Sequence, residues 1–344
     1  MFNKLKKTYI IAEIGVNHNG SLALAKKLIT KAKTIGADCV KFQLFKSKNL
    51  VQENTPLANY QKKNIKRKIS QEQMLKTLEL NFNQIQNLFE YSKKKKIDFL
   101  CTPYNLEDLK VIKKLNIKAV KLSSMHATEN YFISEALKLN KPTLIPTGMC
   151  TESDIVNLKK IISKSRNKKI CIMQCNTNYP TMLKDSNINV IKYYKKLFSN
   201  YLIGFSDHTE NSVAACAAVS LGAKIVEKHF TLSNKMKGPD HIASLNPKNF
   251  KIFVDNIRGT EVSLGSSKKK ITNSEKKNLK VVKRSIVAKT FLKKGSRLKI
   301  GQVTFKRPLN GIPAGKLSLI LNKILKQNVL ANTLIKKNFF KIND

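Results

Sequence analysis

The chain has 344 residues, enough for one large domain and one small one, and 42% of them are hydrophobic. Its formal net charge of +43 would ordinarily suggest nucleic acid as a partner. However, the excess is almost all lysine, spread through predicted helices and loops without interleaved aromatic residues, which argues against specific nucleic-acid binding and favours an anionic small-molecule substrate.

The beginning of the chain and its cysteines indicate where the protein works. No stretch is apolar for long enough to cross a bilayer, and the apolar run at residues 9–14 is too short and too polar for a signal peptide. The six cysteines lie mostly in or beside apolar runs, which is typical of buried free thiols in a reducing compartment. We therefore expect a cytoplasmic protein without a membrane partner.

Short apolar runs alternate with amphipathic helical stretches eight times along the first 264 residues. The predicted strands are 8–12, 38–42, 98–101, 119–122, 143–146, 170–173, 202–205 and 224–227. The predicted helices are 21–35, 83–95, 106–115, 131–139, 152–163, 188–198, 211–221 and 250–264. Ser21 is expected to cap the first of these helices and Gly36 to end it. This pattern predicts a (β/α)8 TIM barrel, with an open doubly wound sheet as the alternative.

The pattern changes after the last of these helices. A lysine- and serine-rich stretch without an apolar period begins at residue 265, and we interpret 266–283 as a linker. Short β-like runs at 285–288 and 302–305 then appear among glycines and prolines. We expect a barrel domain over 1–265 and a small β-rich domain over 284–344, too small to be very stable alone.

Polar side chains follow the predicted strands, where a TIM barrel carries its active groups. In strand order these residues are Glu13, Lys41, Gln43, Thr102, Lys121, Ser124, Thr147, Thr177, Tyr179, Ser206, His208 and His229. Ordinary turns are polar too, but they seldom place lysine, glutamate and histidine on the inward face of strand after strand. The sequence therefore predicts an active site at this rim.

His208 and His229 each end a strand-like run, and a predicted helix connects the two runs. Because neighbouring parallel strands end at the same rim, both imidazoles should meet there. This arrangement suits a divalent metal with open positions for substrate. Two core or surface histidines are the alternative interpretation.

Lys41 and Lys121 should point into the barrel mouth, which is unfavourable without an anion. Together with the hydroxyl groups at the rim they would form a cradle for a phosphate and a carboxylate. Two alternatives remain open. The lysines form structural ion pairs with Glu13 or Glu227, or one of them is a Schiff-base lysine of the aldolase kind.

Several segments, in the same order along nearly the whole chain, resemble the sialic acid synthases. They are residues 11–20, 40–43, 147–149, 204–209, 227–231 and 238–241. Residues 306–311 are similar to the antifreeze-protein-like (SAF, β-clip) domain of that family. Segments 41–43 and 238–241 are more similar to the legionaminate branch. The resemblance implies a TIM barrel followed by a SAF domain.

The family condenses phosphoenolpyruvate with an N-acylated mannosamine-type sugar and water, giving a nine-carbon 2-keto acid and phosphate. By resemblance, His208 and His229 hold manganese, or magnesium, which polarises the sugar aldehyde, and Glu13 is the acid/base residue. The residues implied to bind phosphoenolpyruvate are Lys41, Thr102, Lys121, Ser124, Thr147, Thr177 and Ser206. Those implied to contact the sugar are Gln43, Tyr179, Asp240 and Arg307. Arg307 would come from a partner subunit, so a domain-swapped homodimer is implied.

The chain departs from the family at two positions. His126 stands where the family usually has a glutamate that contacts the sugar, and Gln174 stands where a histidine is common. We expect a synthase forming N-acetylneuraminate or a legionaminate-type acid. The alternatives are another phosphoenolpyruvate-dependent deoxy-keto-acid synthase and a lysine-rich polyanion-binding protein.

Overall fold

Eight parallel strands form the first part of the chain in the computed structural model, which describes residues 5–65 and 68–341. The strands are β1 (Tyr9–Gly15), β2 (Cys39–Leu44), β3 (Asp98–Pro103), β4 (Val120–Lys121), β5 (Thr143–Pro146), β6 (Ile170–Cys175), β7 (Leu202–Asp207) and β8 (Ile225–His229). Their hydrogen-bonded order is β3-β2-β1-β8-β7-β6-β5-β4, and the end strands β3 and β4 contact each other. This confirms the predicted barrel rather than an open doubly wound sheet.

Six of the eight strands extend further at their carboxyl ends than the apolar runs indicated, whereas β5 ends as predicted and β4 ends one residue earlier. β7 continues to Asp207 and β8 to His229, two residues beyond each prediction. The difference arises because the backbone ladder continues through polar residues, which a search for apolar runs leaves out. Seven predicted rim residues therefore sit on the strands themselves: Glu13, Lys41, Gln43, Thr102, Lys121, Ser206 and His229. The other five directly follow their strands or lie in the next loop: Ser124, Thr147, Thr177, Tyr179 and His208.

Each predicted barrel helix is present, with its ends shifted by a few residues at most. These helices are α1 (Leu22–Thr34), α5 (Phe82–Lys94), α6 (Leu106–Lys114), α7 (Asn130–Lys138), α8 (Glu152–Lys164), α9 (Val190–Leu197), α10 (Val213–Ser220) and α11 (Pro247–Leu264). Ser21 accepts a bond from the amide of Leu24 and caps α1 as expected, and Gly36 follows the helix at φ 95°.

Between β2 and α5 the chain makes an excursion that the sequence pattern did not predict. This β2–α5 insertion, residues 45–80, contains α2 (Ser47–Leu50), α3 (Asn59–Ile65) and α4 (Gln71–Lys76). The side chains of Phe45, Leu57, Met74 and Leu78 pack together with Val16 in a separate apolar cluster. The insertion is therefore held against the carboxyl end of β1 by its own small core.

Side-chain alternation divides the apolar residues of the barrel into two layers. The inner layer consists of Tyr9, Ile11, Cys39, Leu100, Ala119, Leu144, Cys171, Met173 and Ile225. The larger outer layer packs the opposite face of the strands against the helices. Each fully buried aliphatic side chain contributes roughly 1.5–3 kcal/mol. The inner layer fills the lower barrel and leaves the rim to polar residues. The predicted free thiols are confirmed: all six cysteines are unpaired.

The chain divides into two compact units, 1–265 and 266–344. In the second unit, β9 (Ser285–Ala288) and β10 (Val303–Lys306) pair antiparallel over a core that includes Ile286, Leu298 and Leu325. The stretch interpreted as a linker contains α12 (Asn273–Val282), none of whose residues is buried. Thr272 and Glu275 form its capping box, a local signal that does not require an apolar face. Within the described ranges, no helix has the length and apolarity required to span a membrane.

Candidate active site

A cavity of about 550 Å³ lies at the carboxyl ends of the strands. Its walls include most of the residues predicted from the strand ends: Glu13, Lys41, Gln43, Thr102, Lys121, Ser124, Thr177, Tyr179, Ser206, His208 and His229. Asp240, on the loop after β8, and residues of the β2–α5 insertion complete the wall. Eleven of the twelve residues predicted at the rim therefore line one cavity.

Two lysines from different strands converge on one carboxylate in this cavity. The Nζ atoms of Lys41 and Lys121 lie 3.2 and 3.3 Å from Oε1 of Glu227. Lys41 also lies 3.4 Å from Oε2 of Glu13 and donates to Oγ1 of Thr102 at 3.2 Å. All four charged side chains are at most 6% exposed. The ion pairs considered as an alternative are present, and they bring both ammonium groups to one place.

The pKa values of the two carboxyl groups of this network are shifted in opposite directions. Burial raises the pKa of Glu13 despite the nearby Lys41, and the charge of Glu227 adds to the rise. Burial also opposes ionisation of Glu227, but Lys121 and Lys41 outweigh it and lower its pKa to about 2. Oε2 of each carboxyl has no hydrogen-bond partner among the described residues. Glu13 is thus suited to holding a proton, whereas Glu227 remains charged.

The imidazoles of His208 and His229 lie beside each other, with ring centroids 5.3 Å apart and ring planes tilted by 59°. Nδ1 of His208 lies 2.6 Å from the carbonyl oxygen of Asn176, which favours the tautomer that leaves Nε2 free to coordinate. Nδ1 of His229 is buried and has no hydrogen-bond partner among the described residues. Burial, together with His208, lowers the pKa of His229 well below its usual range, which favours the neutral ring.

These observations fit a divalent metal held by two imidazoles. Within residues 5–65 and 68–341, no group of three or more histidine, cysteine or acidic side chains is arranged to hold a metal.

Cys175 is an active-site thiol that the strand-end reading did not assign. Its Sγ atom lies 3.9 Å from Nδ1 of His208 and 3.6 Å from Oγ of Ser124. Burial opposes the thiolate, but His208 outweighs it and lowers the pKa of Cys175. In turn, burial disfavours the imidazolium of His208, and Cys175 outweighs that effect and raises the pKa of His208. A metal binding at His208 would therefore displace a proton.

Ser124, Thr177 and the backbone of Gly148 form a tight group, the anion cradle, on one side of the cavity. The amide of Gly148 donates to Oγ of Ser124 at 3.2 Å. A Cβ added to Gly148 would overlap Oγ1 of Thr177 and lie 2.8 Å from Oγ of Ser124. Only glycine therefore allows the two hydroxyl groups to approach this backbone.

Thr147 is the exception among the predicted hydroxyl groups, because it does not line the cavity. Its Oγ1 donates to the carbonyl oxygen of Met173 at 2.9 Å and lies 2.9 Å from the hydroxyl of Tyr194. Both the donor and the acceptor capacity of this hydroxyl are thus used within the barrel wall. Thr147 therefore has bonding partners within the barrel wall, and its contact with phosphoenolpyruvate stays a prediction.

Aromatic side chains form the opposite wall. The ring of Tyr179 lies 4.3 Å from that of His208, and Tyr60 of the insertion lies 5.1 Å from Tyr179. Nε2 of Gln43 donates to Oε1 of Glu13 at 3.1 Å, so Gln43 also orients the candidate acid. Sequence reasoning missed Tyr60, which follows no strand. Burial, with a smaller contribution from Glu13, raises the pKa of Asp240 to about 7.

The two positions at which the chain departs from the resemblance lie outside the cavity lining. His126 stacks on Phe132 with centroids 4.2 Å apart, and its Nδ1 accepts from the amide of Ser123 at 3.1 Å. Gln174 donates to the carbonyl oxygen of Ser186. Neither side chain would contact a molecule bound in the cavity. Arg307 belongs to the second unit, where it is exposed.

The barrel, its polar mouth and the paired lysines and histidines define an enzyme of the (β/α)8-barrel class. Residues 28–269 match the NeuB family, and residues 283–341 match the SAF domain. The chain belongs to the NeuB family.

Its relatives include several sugar-acid synthases. The N,N'-diacetyllegionaminic acid synthase of Campylobacter jejuni is 40% identical over 335 residues, which are 97% of this chain and 100% of that relative. The pseudaminic acid synthase of the same species is 30% identical, over 99% of this chain and 98% of that relative. The crystal structure of the N-acetylneuraminic acid synthetase from Leptospira borgpetersenii has a TM-score of 0.72 and 26% identity, and covers 81% of this chain and 93% of that chain.

Proposed function

We propose that this protein is a nonulosonic acid synthase that condenses phosphoenolpyruvate with a 2,4-diacetamido hexose or N-acetylmannosamine. The product is a legionaminate-type 2-keto acid or N-acetylneuraminate, together with phosphate. The observation that carries the proposal is the convergence of Lys41 and Lys121 on Oε1 of Glu227, beside the imidazoles of His208 and His229. The similarity to a diacetyllegionaminic acid synthase over almost the whole chain favours the legionaminate-type product.

The lysines and the anion cradle would bind phosphoenolpyruvate. Both ammonium groups already contact a single carboxylate oxygen, so one phosphate group can reach both of them. Thr102 and Ser206 bond to this network, through Lys41 and Glu227 respectively, and their hydroxyl groups face the same space. Ser124 and Thr177 would hold the carboxylate of the substrate.

His208 and His229 would hold the metal, manganese or magnesium, and the sugar would lie in the cavity beside them and Tyr179. When bound, the metal supplies Lewis-acid polarisation of the sugar's aldehyde oxygen. Glu13, with its raised pKa and Oε2 without a hydrogen-bond partner in the described part of the chain, would move a proton at the reacting centre. The enol carbon bonds to the aldehyde carbon, water adds to the former enol centre, and phosphate leaves by cleavage of its C–O bond.

The sugar would be oriented by Gln43, Tyr179 and Asp240 and by Arg307 of a second copy. Apolar side chains that follow the strand ends support such a homodimer: Met149, Met182 and Ile242 are 69%, 59% and 59% exposed. A second copy's SAF domain lying over the mouth would cover them. The six free thiols favour a reducing compartment, and we place the reaction in the cytoplasm.

A phosphate-release assay tests this proposal. The full-length protein, stripped of metal and then given Mn²⁺, should release phosphate from phosphoenolpyruvate only when an acetamido sugar is present. The sugars to compare are 2,4-diacetamido-2,4,6-trideoxymannose and N-acetylmannosamine, with an aldose phosphate as the rival substrate. Absence of release with every acetamido sugar would reject the proposal.

Two histidine variants sharpen the assay. His208→Ala should abolish metal-dependent turnover while the circular dichroism spectrum stays that of the wild type. His126→Gln keeps an acceptor for the amide of Ser123 and lies outside the cavity, so turnover should stay within about threefold of wild type. Near-normal activity of His208→Ala would show that the metal assignment is wrong.

A further inference from the structure

Lys228 is a buried lysine on the outer side of β8, facing the helices rather than the cavity. Its Nζ atom lies 2.9 Å from Oδ2 of Asp207, and the two side chains are 1% and 0% exposed. These residues are Cα partners in the last pair of the β7–β8 ladder. Asp207 immediately precedes His208, and Lys228 immediately precedes His229. The ion pair therefore joins the two strands directly before their cavity-facing imidazoles.

The same ammonium group also contacts the backbone on the far side of His208. Nζ of Lys228 donates to the carbonyl oxygen of Thr209, and to that of Asn211 at 3.3 Å. Oδ1 of Asp207 accepts from the amide of Thr209 at 2.8 Å. Lys228 thus bonds to Asp207 and Thr209, the residues on either side of His208. Charge-assisted bonds in such a dry environment resist displacement of the backbone.

Stability alone does not account for this ion pair. Apolar residues of similar volume would generally stabilise a buried position between strands and helices as well as an ion pair does. Neither side chain lines the cavity, so the ion pair does not take part in it directly. The ion pair supplies a fixed distance between two strand ends, and each of those ends carries one imidazole.

We infer that Asp207 and Lys228 are positioning residues that set the separation of His208 and His229 for a shared divalent cation. The inference rests on the proposed metal role of these histidines. The imidazoles project from the opposite face of the same two strands. Loosening the strand ends would let the rings, now 5.3 Å apart, move independently.

Binding of Mn²⁺ alone to the metal-stripped full chain tests the inference, with the free ion measured by electron paramagnetic resonance. Asp207→Asn keeps the shape of the side chain and the bond to Thr209 but loses the charged bond to Lys228. The double variant Asp207→Leu with Lys228→Met removes the ion pair without leaving an unpaired buried charge. Both variants should bind Mn²⁺ about 10–100-fold more weakly, the loss typical of groups that orient metal ligands.

Two controls separate positioning from general stability. Lys228→Arg keeps the charge and several donors, so its Mn²⁺ affinity should fall less than that of the two ion-pair variants. Arg258→Met breaks the ion pair with Asp38, which precedes β2 at the opposite end of the barrel. This variant should melt at a lower temperature and bind Mn²⁺ as tightly as the wild type does.

The outcomes distinguish this inference from the proposed function. If the wild type shows no Mn²⁺ binding that His208→Ala abolishes, the metal site itself is wrong and the inference falls with it. If the wild type binds Mn²⁺ and both ion-pair variants bind it equally tightly, the metal site stands and the positioning role is refuted.

Discussion

Two buried carboxyl groups that share one ammonium neighbour should respond in opposite ways to the same substitution. Glu13 and Glu227 lie 3.4 and 3.2 Å from Nζ of Lys41. Glutamine has nearly the shape of glutamate but carries no charge. Glu13→Gln and Glu227→Gln therefore measure what the negative charge at each position contributes to the free energy of unfolding.

The pKa directions give the sign and the size of each effect. The pKa of Glu227 falls from its ordinary 4.5 to about 2, which corresponds to about 3 kcal/mol of stability at neutral pH. This contribution is present above the ordinary pKa and is lost as the pH falls toward about 2. The pKa of Glu13 is raised, so its charged form opposes folding at neutral pH. Glu227→Gln should lower the free energy of unfolding by about 3 kcal/mol, and Glu13→Gln should leave it unchanged or raise it.

Urea unfolding of the full chain near pH 7, followed by circular dichroism, measures both values. In steady-state kinetics, by contrast, Glu13→Gln should have a large effect. Loss of a general acid lowers kcat by about 10²–10⁴-fold even when the fold is intact. Equal destabilisation by the two substitutions would refute the assignment of opposite protonation states. A Glu13→Gln enzyme with more than about a tenth of wild-type kcat would refute its acid/base role.

Three further outcomes are expected. Gly148→Ala should raise the KM for phosphoenolpyruvate about tenfold or more, because its methyl group displaces both cradle hydroxyls. Gly259→Ala, a helix position with nothing within 4 Å, should leave that KM unchanged. Because the pKa of His208 is raised above its ordinary 6.5, Mn²⁺ affinity should increase as the pH rises above that value, and an affinity independent of pH would contradict the proton displacement. Arg307→Ala should raise the KM for the sugar and leave that for phosphoenolpyruvate unchanged in steady-state assays, whereas equal loss for both would indicate a structural tail.

The barrel could be predicted from the sequence because most of its helices carry an apolar period and its strands are short apolar runs. The positions of Lys41 and Lys121 followed from strand alternation, since a residue's parity within a strand decides which face it occupies. Their convergence on Glu227 did not follow, because the distance between side chains on different strands depends on the register and tilt of the sheet. The sequence could identify Glu227 only as one of two partners for the lysines.

The remaining differences have physical causes of the same kind. Thr147 follows its strand as Ser124 and Thr177 do, but its hydroxyl lies 2.9 Å from the hydroxyl of Tyr194 on α9 and does not line the cavity. Helices of four to seven residues, such as α2 and α3, are too short to display a period of 3.6. Tyr60, which lies on α3, therefore gave no signal in the sequence.

The alternation along β8 makes the length of this strand more critical than the identity of any one side chain. Deleting a single residue upstream of Glu227 would turn Lys228 toward the cavity. The same deletion would turn Glu227 and His229 toward the apolar outer layer. A substitution alters only one group. Evolution or engineering can thus vary the chemistry of the barrel mouth by single substitutions. Insertions and deletions must instead fall in the connecting loops, where the β2–α5 insertion is found.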